Sequence, residues 1–240
     1  MGKDIFGLSI YKYWKGNRRI SIKFIRDDSK KFTLSPKLFF SKHKGFWNSE
    51  KSLLKHIKSK VLDVGCGVGR HVLYLQNKEY KVSGMDYSKY LIEICKKRGC
   101  KNCHQGDIYN YKSKKKYETL ILFGNNLGIA QTPKKARRFF RALKNLTNKG
   151  GKILITSIDY DKTTDKDFKN YIKWNKKKGK FSGQLVSKNI IDAQETEWVN
   201  WLYMTPNDVE KVCDDVGLHL EEVYREKNGR YGAVIGRSFD

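Results

Sequence analysis

The glycine-rich segment that begins near residue 60 has the residue types of a ligand-binding loop. Its pattern is D-x-G-x-G-x-G, formed by Asp63, Gly65, Gly67 and Gly69, with Cys66 inside it. The apolar run VLDV enters this segment and HVLYLQ follows it, which predicts a strand that turns into a helix. Glycines let the backbone approach a ligand closely, and the free N–H groups at a helix start favour a carboxylate or a phosphate.

Three further segments follow, each at the end of a predicted strand. They are Asp86 with Tyr87, Asp107 with Ile108, and Phe123-Gly124-Asn125-Asn126. The loop differs from the dinucleotide-binding pattern G-x-G-x-x-G, because Arg70 stands where the third glycine would be. Open α/β sheets bind ligands outside the carboxyl ends of their strands. The four segments therefore predict one shared site.

This arrangement resembles the cofactor site of class I S-adenosylmethionine-dependent methyltransferases. The resemblance implies that Asp86 holds the ribose hydroxyls, that Asp107 meets the adenine amino group, and that the Phe123 segment lies beside the transferable methyl. The implied cofactor is S-adenosyl-L-methionine. The implied cofactor-binding residues are Asp63, Gly65, Cys66, Gly67, Gly69, Asp86, Tyr87, Asp107, Ile108, Phe123, Gly124 and Asn125.

Strand and helix signals alternate from about residue 60 onward. Short apolar runs at 61–64, 80–85, 117–123 and 152–157 are typical of buried parallel strands. Helices that begin at Thr132-Pro133 and Thr205-Pro206 lie between or after them, and Asn228-Gly229 predicts a hairpin near the end. We therefore expect an α/β fold, a Rossmann-like doubly wound sheet of seven strands with an antiparallel last strand.

We expect one methyltransferase domain over residues 1–240, because this length suits a single domain. Residues 1–50 are predicted to form an N-terminal lid, with Tyr11, Tyr13 and Trp14 either over the cofactor or packed as an ordinary helix face. Residues 51–158 form the cofactor-binding core, 159–204 a substrate-capping insert, and 205–240 the last helix and hairpin. The insert is too long for a simple connecting loop.

Methyl transfer from a sulfonium needs mainly alignment, and a general base only if the acceptor is protonated. Catalytic residues are therefore hard to identify, and the weak candidates are His43, Asn125 and Tyr11. His71 is better explained by packing than by base catalysis. Trp198, Trp201 and Tyr203 either line an acceptor pocket or form the core of a small sheet.

The chain contains 50 Lys and Arg against 25 Asp and Glu, a net charge of +25. This charge would attract nucleic acid, but a solvated basic surface explains it better. No [DN]-P-P-[FY] or Pro-Cys motif of base-modifying members is present. The predicted function is transfer of a methyl group to N or O of a small-molecule acceptor. An RNA or protein methyltransferase, and a non-catalytic cofactor-binding protein, are the alternatives.

The cysteine spacing around residue 100 could be mistaken for a haem or zinc motif. Cys95, Cys100, Cys103 and His104 form C-x4-C-x2-C-H. Cys95 is predicted on a helix and Cys103 at a strand, so we expect buried thiols and no metal. The lack of an apolar run of ~18–20 residues and of a signal peptide predicts a cytoplasmic protein with reduced thiols and no membrane contact.

Overall fold

The computed structural model describes residues 4–111, 113, 115–191 and 194–237. It contains helices, strands and four short 3-10 segments. The helices are α1 (Ile5–Trp14), α2 (Asn48–Leu53), α3 (Arg70–Gln76), α4 (Lys89–Lys97), α5 (Pro133–Leu146), α6 (Lys166–Lys177) and α7 (Pro206–Asp214). The strands are β1 (Ile22–Arg26), β2 (Lys31–Leu34), β3 (Val61–Val64), β4 (Val82–Asp86), β5 (Cys103–Gln105), β6 (Tyr117–Leu122), β7 (Thr147–Ile158), β8 (Gln184–Ile191), β9 (Gln194–Glu195), β10 (Val199–Leu202), β11 (His219–Arg225) and β12 (Arg230–Gly236).

Seven strands form the main sheet, in the order β11-β12-β7-β6-β3-β4-β5. The pairs from β7 to β5 are all parallel, whereas β12 is antiparallel to both of its neighbours. Every residue of β3 is buried, as expected for a strand covered on both faces. The structure confirms the predicted Rossmann-like, doubly wound sheet of seven strands with an antiparallel last strand.

Helix α5 shows why the sequence folds as it does around this sheet. The Thr132 side chain accepts a hydrogen bond from the Lys135 N–H, and Pro133 occupies the first helical position. The apolar stripe is buried completely or nearly so, and it consists of Ala136, Phe139, Phe140, Leu143 and Leu146. These side chains join the core on one face of the sheet. The predicted cap and apolar face of this helix are therefore confirmed.

A second, smaller sheet combines two parts of the chain that the sequence analysis treated separately. Its order is β10-β8-β1-β2, and β9 pairs with β8. Strand β1, near the N-terminus, is antiparallel to β8 from the 159–204 insert. Strands β1 and β2 from the N-terminal region and strands β8 to β10 from the insert thus share one sheet. Pairing between strands so far apart in sequence leaves no local signal.

Ion pairs and an aromatic contact stabilise the junction between β1 and the insert. The buried guanidinium of Arg26 donates to Asp28 at 2.6 and 2.8 Å and to Asp167 of α6 at 2.9 Å. It also lies 4.1 Å above the Tyr171 ring, a favourable cation–π arrangement. Asp27 accepts a hydrogen bond from the Tyr171 hydroxyl at 2.5 Å. Among the described residues, no helix has the length and apolar character of a membrane-spanning segment.

Candidate cofactor-binding site

The predicted site residues meet at one edge of the main sheet. Strands β6, β3, β4 and β5 are consecutive neighbours and parallel, so their carboxyl ends lie side by side. The glycine loop and the Phe123 segment follow β3 and β6 directly, Asp107 follows β5 after one residue, and Asp86 is the last residue of β4. The sheet order therefore brings together four segments that span about sixty residues of sequence.

The glycine loop after β3 depends on backbone conformations that favour glycine. Gly65, Gly67 and Gly69 have φ values of 76°, 55° and 81°. A Cβ at Gly65 would lie 2.6 Å from the Asn126 amide nitrogen, which donates to the carbonyl oxygens of Val64 and Gly65 at 3.0 and 2.7 Å. A Cβ at Gly67 would meet no atom within 4 Å. Asn126, which follows β6, thus fixes the loop, whereas Gly67 faces open space.

Asp86 joins this loop to the end of β4. Its carboxylate accepts hydrogen bonds from the Gly67 N–H at 2.8 Å and from the Ser88 N–H at 2.9 Å. Burial raises the pKa of Asp86 to about 6, although both N–H groups act in the opposite direction. The first turn of α1 lies against this corner, because a Cβ at Gly7 would be 2.1 Å from the Ser88 hydroxyl.

Asp107 and Ile108 continue the site at the end of β5. Asp107 is half-buried and accepts a hydrogen bond from the Tyr109 N–H at 3.0 Å, while Ile108 is buried in the main core. Tyr87 follows Asp86 and is exposed, at 53% of its possible surface. An exposed aromatic side chain beside these groups offers a flat surface for a ligand ring.

Asp63 is the most deeply buried acid of the glycine segment. It is 1% exposed, and neither carboxyl oxygen has a hydrogen-bond partner. Burial raises its pKa well above the usual range. The nearest basic group is His71, whose Nδ1 lies 3.9 Å from Asp63 Oδ2. A ligand with N–H donors near this loop would suit such an acceptor.

Glu50 is a central residue of the site that the sequence analysis missed. Its side chain is fully buried, and Oε1 accepts hydrogen bonds from Arg70 Nη2 and from the Gly124 N–H, both at 2.8 Å. Oε2 accepts from the Trp47 N–H at 2.8 Å. Burial would raise the pKa of Glu50, but His71, Arg70 and the Trp47 N–H together lower it. Helix α2 thereby holds the glycine loop and the β6 end together.

His71 lies between the two buried acids. Its Nε2 is 3.6 Å from Glu50 Oε1, and its ring packs edge-on against Phe123 at 5.2 Å. Burial lowers the pKa of His71 to about 4, although the nearby Glu50 carboxylate opposes this change. The imidazole is therefore neutral at neutral pH. Its position supports Glu50 and Phe123 and does not expose it to an acceptor.

The end of β6 is contacted by the insert. Asn125 has a left-handed backbone, and its N–H donates to the Thr156 hydroxyl at 3.2 Å. Its buried Oδ1 has no partner. Burial raises the pKa of the Tyr203 hydroxyl to about 12, while a hydrogen bond with the Asn125 side chain lowers it. Trp201 covers Gly128, where a Cβ would lie 1.9 Å from the indole nitrogen.

The other aromatic residues of the insert and the N-terminus occupy different places. Trp198 is 48% exposed. Tyr11 donates through its hydroxyl to Glu93 of α4 at 2.9 Å and packs against Tyr90, so it faces α4. His43 is exposed and stacks on Tyr74 of α3 at 4.7 Å. Tyr11 thus contacts α4, and His43 contacts α3. Asn125 remains at the edge of the sheet.

The four cysteines Cys66, Cys95, Cys100 and Cys103 are all buried and free. The predicted burial of Cys95, Cys100 and Cys103 is confirmed, and the packing of α4 against β5, beneath the glycine loop, brings their side chains close to Cys66. Cys95 Sγ lies 3.0 Å from Cys103 Sγ. His104 points away from this group and stacks on Tyr111 at 5.1 Å, since neighbouring strand residues face opposite sides.

Comparisons with known proteins agree with this arrangement. Residues 61–151 match a family model described as a methyltransferase domain. The chain is 34% identical over 124 residues to phosphoethanolamine N-methyltransferase 3 of Arabidopsis thaliana. That match covers 48% of this chain and 24% of the relative, so the chain spans about a quarter of the relative's length.

Solved structures share the fold over most of the chain. A SAM-dependent methyltransferase from Bacteroides fragilis, in complex with S-adenosyl-L-homocysteine, superposes with a TM-score of 0.84 at 24% identity and covers 98% of this chain and 95% of that one. The CcbJ methyltransferase from Streptomyces caelestis gives a TM-score of 0.62 at 12% identity, over 79% of this chain and 88% of that one. With the family match, these findings confirm the resemblance to class I methyltransferases.

Proposed function

We propose that this chain, which contains a methyltransferase domain and has the class I methyltransferase fold, transfers a methyl group from S-adenosyl-L-methionine to N or O of a small molecule. One observation carries the proposal. The glycine loop, Asp86, Asp107 and the Asn125 segment lie at adjacent carboxyl ends of β3, β4, β5 and β6. This order supplies acceptors for a ribose and an adenine next to a loop that can accommodate a charged ligand tail.

The residues present fit the cofactor. Asp86 presents a carboxylate at the β4 end for the ribose hydroxyls, and Asp107 with Ile108 would hold the adenine, with Tyr87 beside it. The unpartnered carboxyl of Asp63 beside the glycine loop suits the ammonium group of an amino acid moiety. When bound, the cofactor supplies an electrophilic methyl group. The chain's part is to orient it and to exclude water.

The acceptor is proposed to bind beside Asn125, where the insert covers the end of β6. Tyr203 and Trp201 close this side, and the unpartnered Asn125 Oδ1 can accept a hydrogen bond from an amine or a hydroxyl. Aligning an acceptor with the methyl can lower the barrier by ~7–11 kcal/mol without covalent help. The named activity of the Arabidopsis relative, phosphoethanolamine N-methylation, is compatible with transfer to nitrogen.

The surroundings support a small acceptor over a macromolecule. The insert covers the β6 side of the site, because β10 packs on the segment that follows β6 and Trp201 lies against Gly128. Five free cysteines fit a reducing compartment, so we place the protein in the cytoplasm.

The proposal is tested with methyl-labelled S-adenosylmethionine and a panel of small amines and hydroxy compounds that includes phosphoethanolamine. Structured RNA and a basic protein serve as competing acceptors in parallel reactions. We expect label on at least one small molecule, and much less with an Asp86→Asn variant. Label on RNA or protein alone would overturn the acceptor class. Cofactor binding without any labelled product would identify a non-catalytic binding protein instead.

A further inference from the structure

Four cysteine side chains form one buried cluster directly beneath the glycine loop. Cys66 belongs to that loop, Cys95 to α4, Cys100 to the connection after α4, and Cys103 to β5. The sulfurs of Cys66, Cys95 and Cys103 all lie within 4.8 Å of one another. Each of the four thiols interacts with at least two of the others. One disulfide would use two of these thiols and would not explain why four lie together.

Two glycines, Gly69 and Gly84, leave room for the four sulfurs of this cluster. A Cβ at Gly69 would lie 2.3 Å from Cys100 Sγ and 2.8 Å from Cys95 Sγ. A Cβ at Gly84 would lie 2.9 Å from the sulfurs of both Cys66 and Cys103. Two glycines on different elements therefore face the four sulfurs, and any side chain at either position would displace them.

We propose that Cys66, Cys95, Cys100 and Cys103 form a tetrathiolate site for one zinc ion. Zinc prefers four tetrahedral ligands with Zn–S distances near 2.3 Å, which places the sulfurs about 3.8 Å apart. The sulfurs of Cys66, Cys95 and Cys103 are already within 4.8 Å of one another, and Cys100 Sγ, which lies outside this group, would move inward to complete the tetrahedron. Binding converts four thiols to thiolates and releases four protons to solvent. The half-buried guanidinium of Arg98, which is attracted by Cys95 and Cys100, partly balances the charge.

The site would have a structural role for the methyltransferase core. It joins the glycine loop to α4 and β5, the elements that flank Asp86 and carry Asp107 into position. A closed site with four protein ligands leaves no open coordination position for an acceptor. Its metal content is therefore independent of whether the chain transfers a methyl group.

The test measures metal in the full chain expressed with added zinc and purified under reducing conditions without chelator. We expect about one zinc per chain. Cobalt(II) added to the metal-free protein should give the intense visible bands of tetrahedral thiolate coordination. The single variants Cys95→Ser and Cys103→Ser should lose most of both signals. The matched control is Cys213→Ser, because Cys213 is equally buried but lies on α7, within the opposite core.

Several results would overturn the proposal. One is wild-type protein in which all five thiols titrate, with negligible zinc and no thiolate–cobalt spectrum. Another is a disulfide between Cys95 and Cys103 in the freshly purified chain, which would indicate a redox pair. Equal zinc in the wild type, Cys95→Ser and Cys103→Ser would place the metal elsewhere. The wild-type cobalt titration keeps the test decisive even if a serine variant does not fold.

Discussion

Glu50 Oε1 accepts a hydrogen bond from the Gly124 N–H at 2.8 Å, so a carboxylate from α2 fixes the backbone at the end of β6. The same oxygen accepts from Arg70, the residue that follows the glycine loop. One buried charge therefore connects the two chain segments between which the methyl donor and acceptor are proposed to meet. Glu50 lies eleven residues before the start of β3 and belongs to no motif of the site.

Replacing Glu50 by glutamine should destabilise the protein. The substitution leaves Arg70 without its buried counter-charge, and breaking such pairs typically costs about 3–5 kcal/mol. Glutamine can still accept a hydrogen bond from the Gly124 N–H. We therefore expect the free energy of unfolding, measured by urea denaturation, to fall by an amount near the lower end of this range. Glu93→Gln is the control, since the Glu93–Lys97 pair is exposed and contributes little. A loss below about 1 kcal/mol for Glu50→Gln would contradict the central role of this carboxylate.

Replacing Asp86 by asparagine should weaken cofactor binding while leaving the fold intact. The change removes charge-assisted hydrogen bonds that contribute about 1.5–3 kcal/mol, which corresponds to a ~10- to 150-fold higher Kd for S-adenosylmethionine. Calorimetric titration measures this value directly. Asp214→Asn, at an exposed position on α7, should bind like the wild type. An unchanged Kd in Asp86→Asn would show that Asp86 does not bind the ribose.

His71 should make stability depend on pH in a predictable direction. Its pKa is about 4 in the folded chain, against 6.5 when unfolded. The unfolded state therefore binds more protons between pH 6.5 and 4, and this residue destabilises the fold as the pH falls through that range. The contribution lost between pH 8 and pH 5 is about 2 kcal/mol.

The raised pKa of Asp86 acts in the opposite direction, because the folded state then holds the proton. The measurement is therefore the difference in unfolding free energy between the wild type and His71→Gln at pH 8 and at pH 5. We expect the wild type's advantage to shrink by about 2 kcal/mol at the lower pH. A constant difference would show that His71 titrates normally.

Tyr203 should affect the acceptor more than the cofactor. Tyr203→Phe removes the hydroxyl that faces Asn125 but keeps the ring packed against Phe168 at 4.8 Å. Once an acceptor is identified, we expect its kcat/KM to fall about tenfold, the effect of one hydrogen bond of ~1.4 kcal/mol, with the Kd for S-adenosylmethionine unchanged. Trp198→Phe, at an exposed site, should match the wild type. Equal losses in cofactor and acceptor binding would argue against an acceptor role for Tyr203.

Local patterns predicted most of the main sheet and the residues at its edge. Alternating apolar runs, the Thr-Pro caps and the glycine spacing report short-range structure, so β3, α5 and the loop at Gly65–Gly69 were accessible from sequence. Contacts between distant segments were not accessible from the sequence. Glu50 looks like an ordinary surface acid in sequence, and the pairing of β1 with β8 depends on the folded arrangement of two remote strands.

The cysteines also show that local sequence patterns do not predict contacts between distant segments. Their spacing was visible, but Cys66 lies about thirty residues before Cys95, and only packing of α4 under the glycine loop brings the sulfurs together. Similarly, Tyr11 and His43 have suitable chemistry, but only the structure shows that they contact α4 and α3. Residue type identified candidates, and three-dimensional packing shows what each candidate contacts.

Titration calorimetry of the wild-type chain with S-adenosylmethionine, with NADH as the comparison ligand, tests the central claim most directly. The arrangement of the glycine loop, Asp86 and Asp107 predicts saturable binding of S-adenosylmethionine at one site per chain and no binding of NADH. Saturable binding of NADH, with no heat from S-adenosylmethionine, would contradict it.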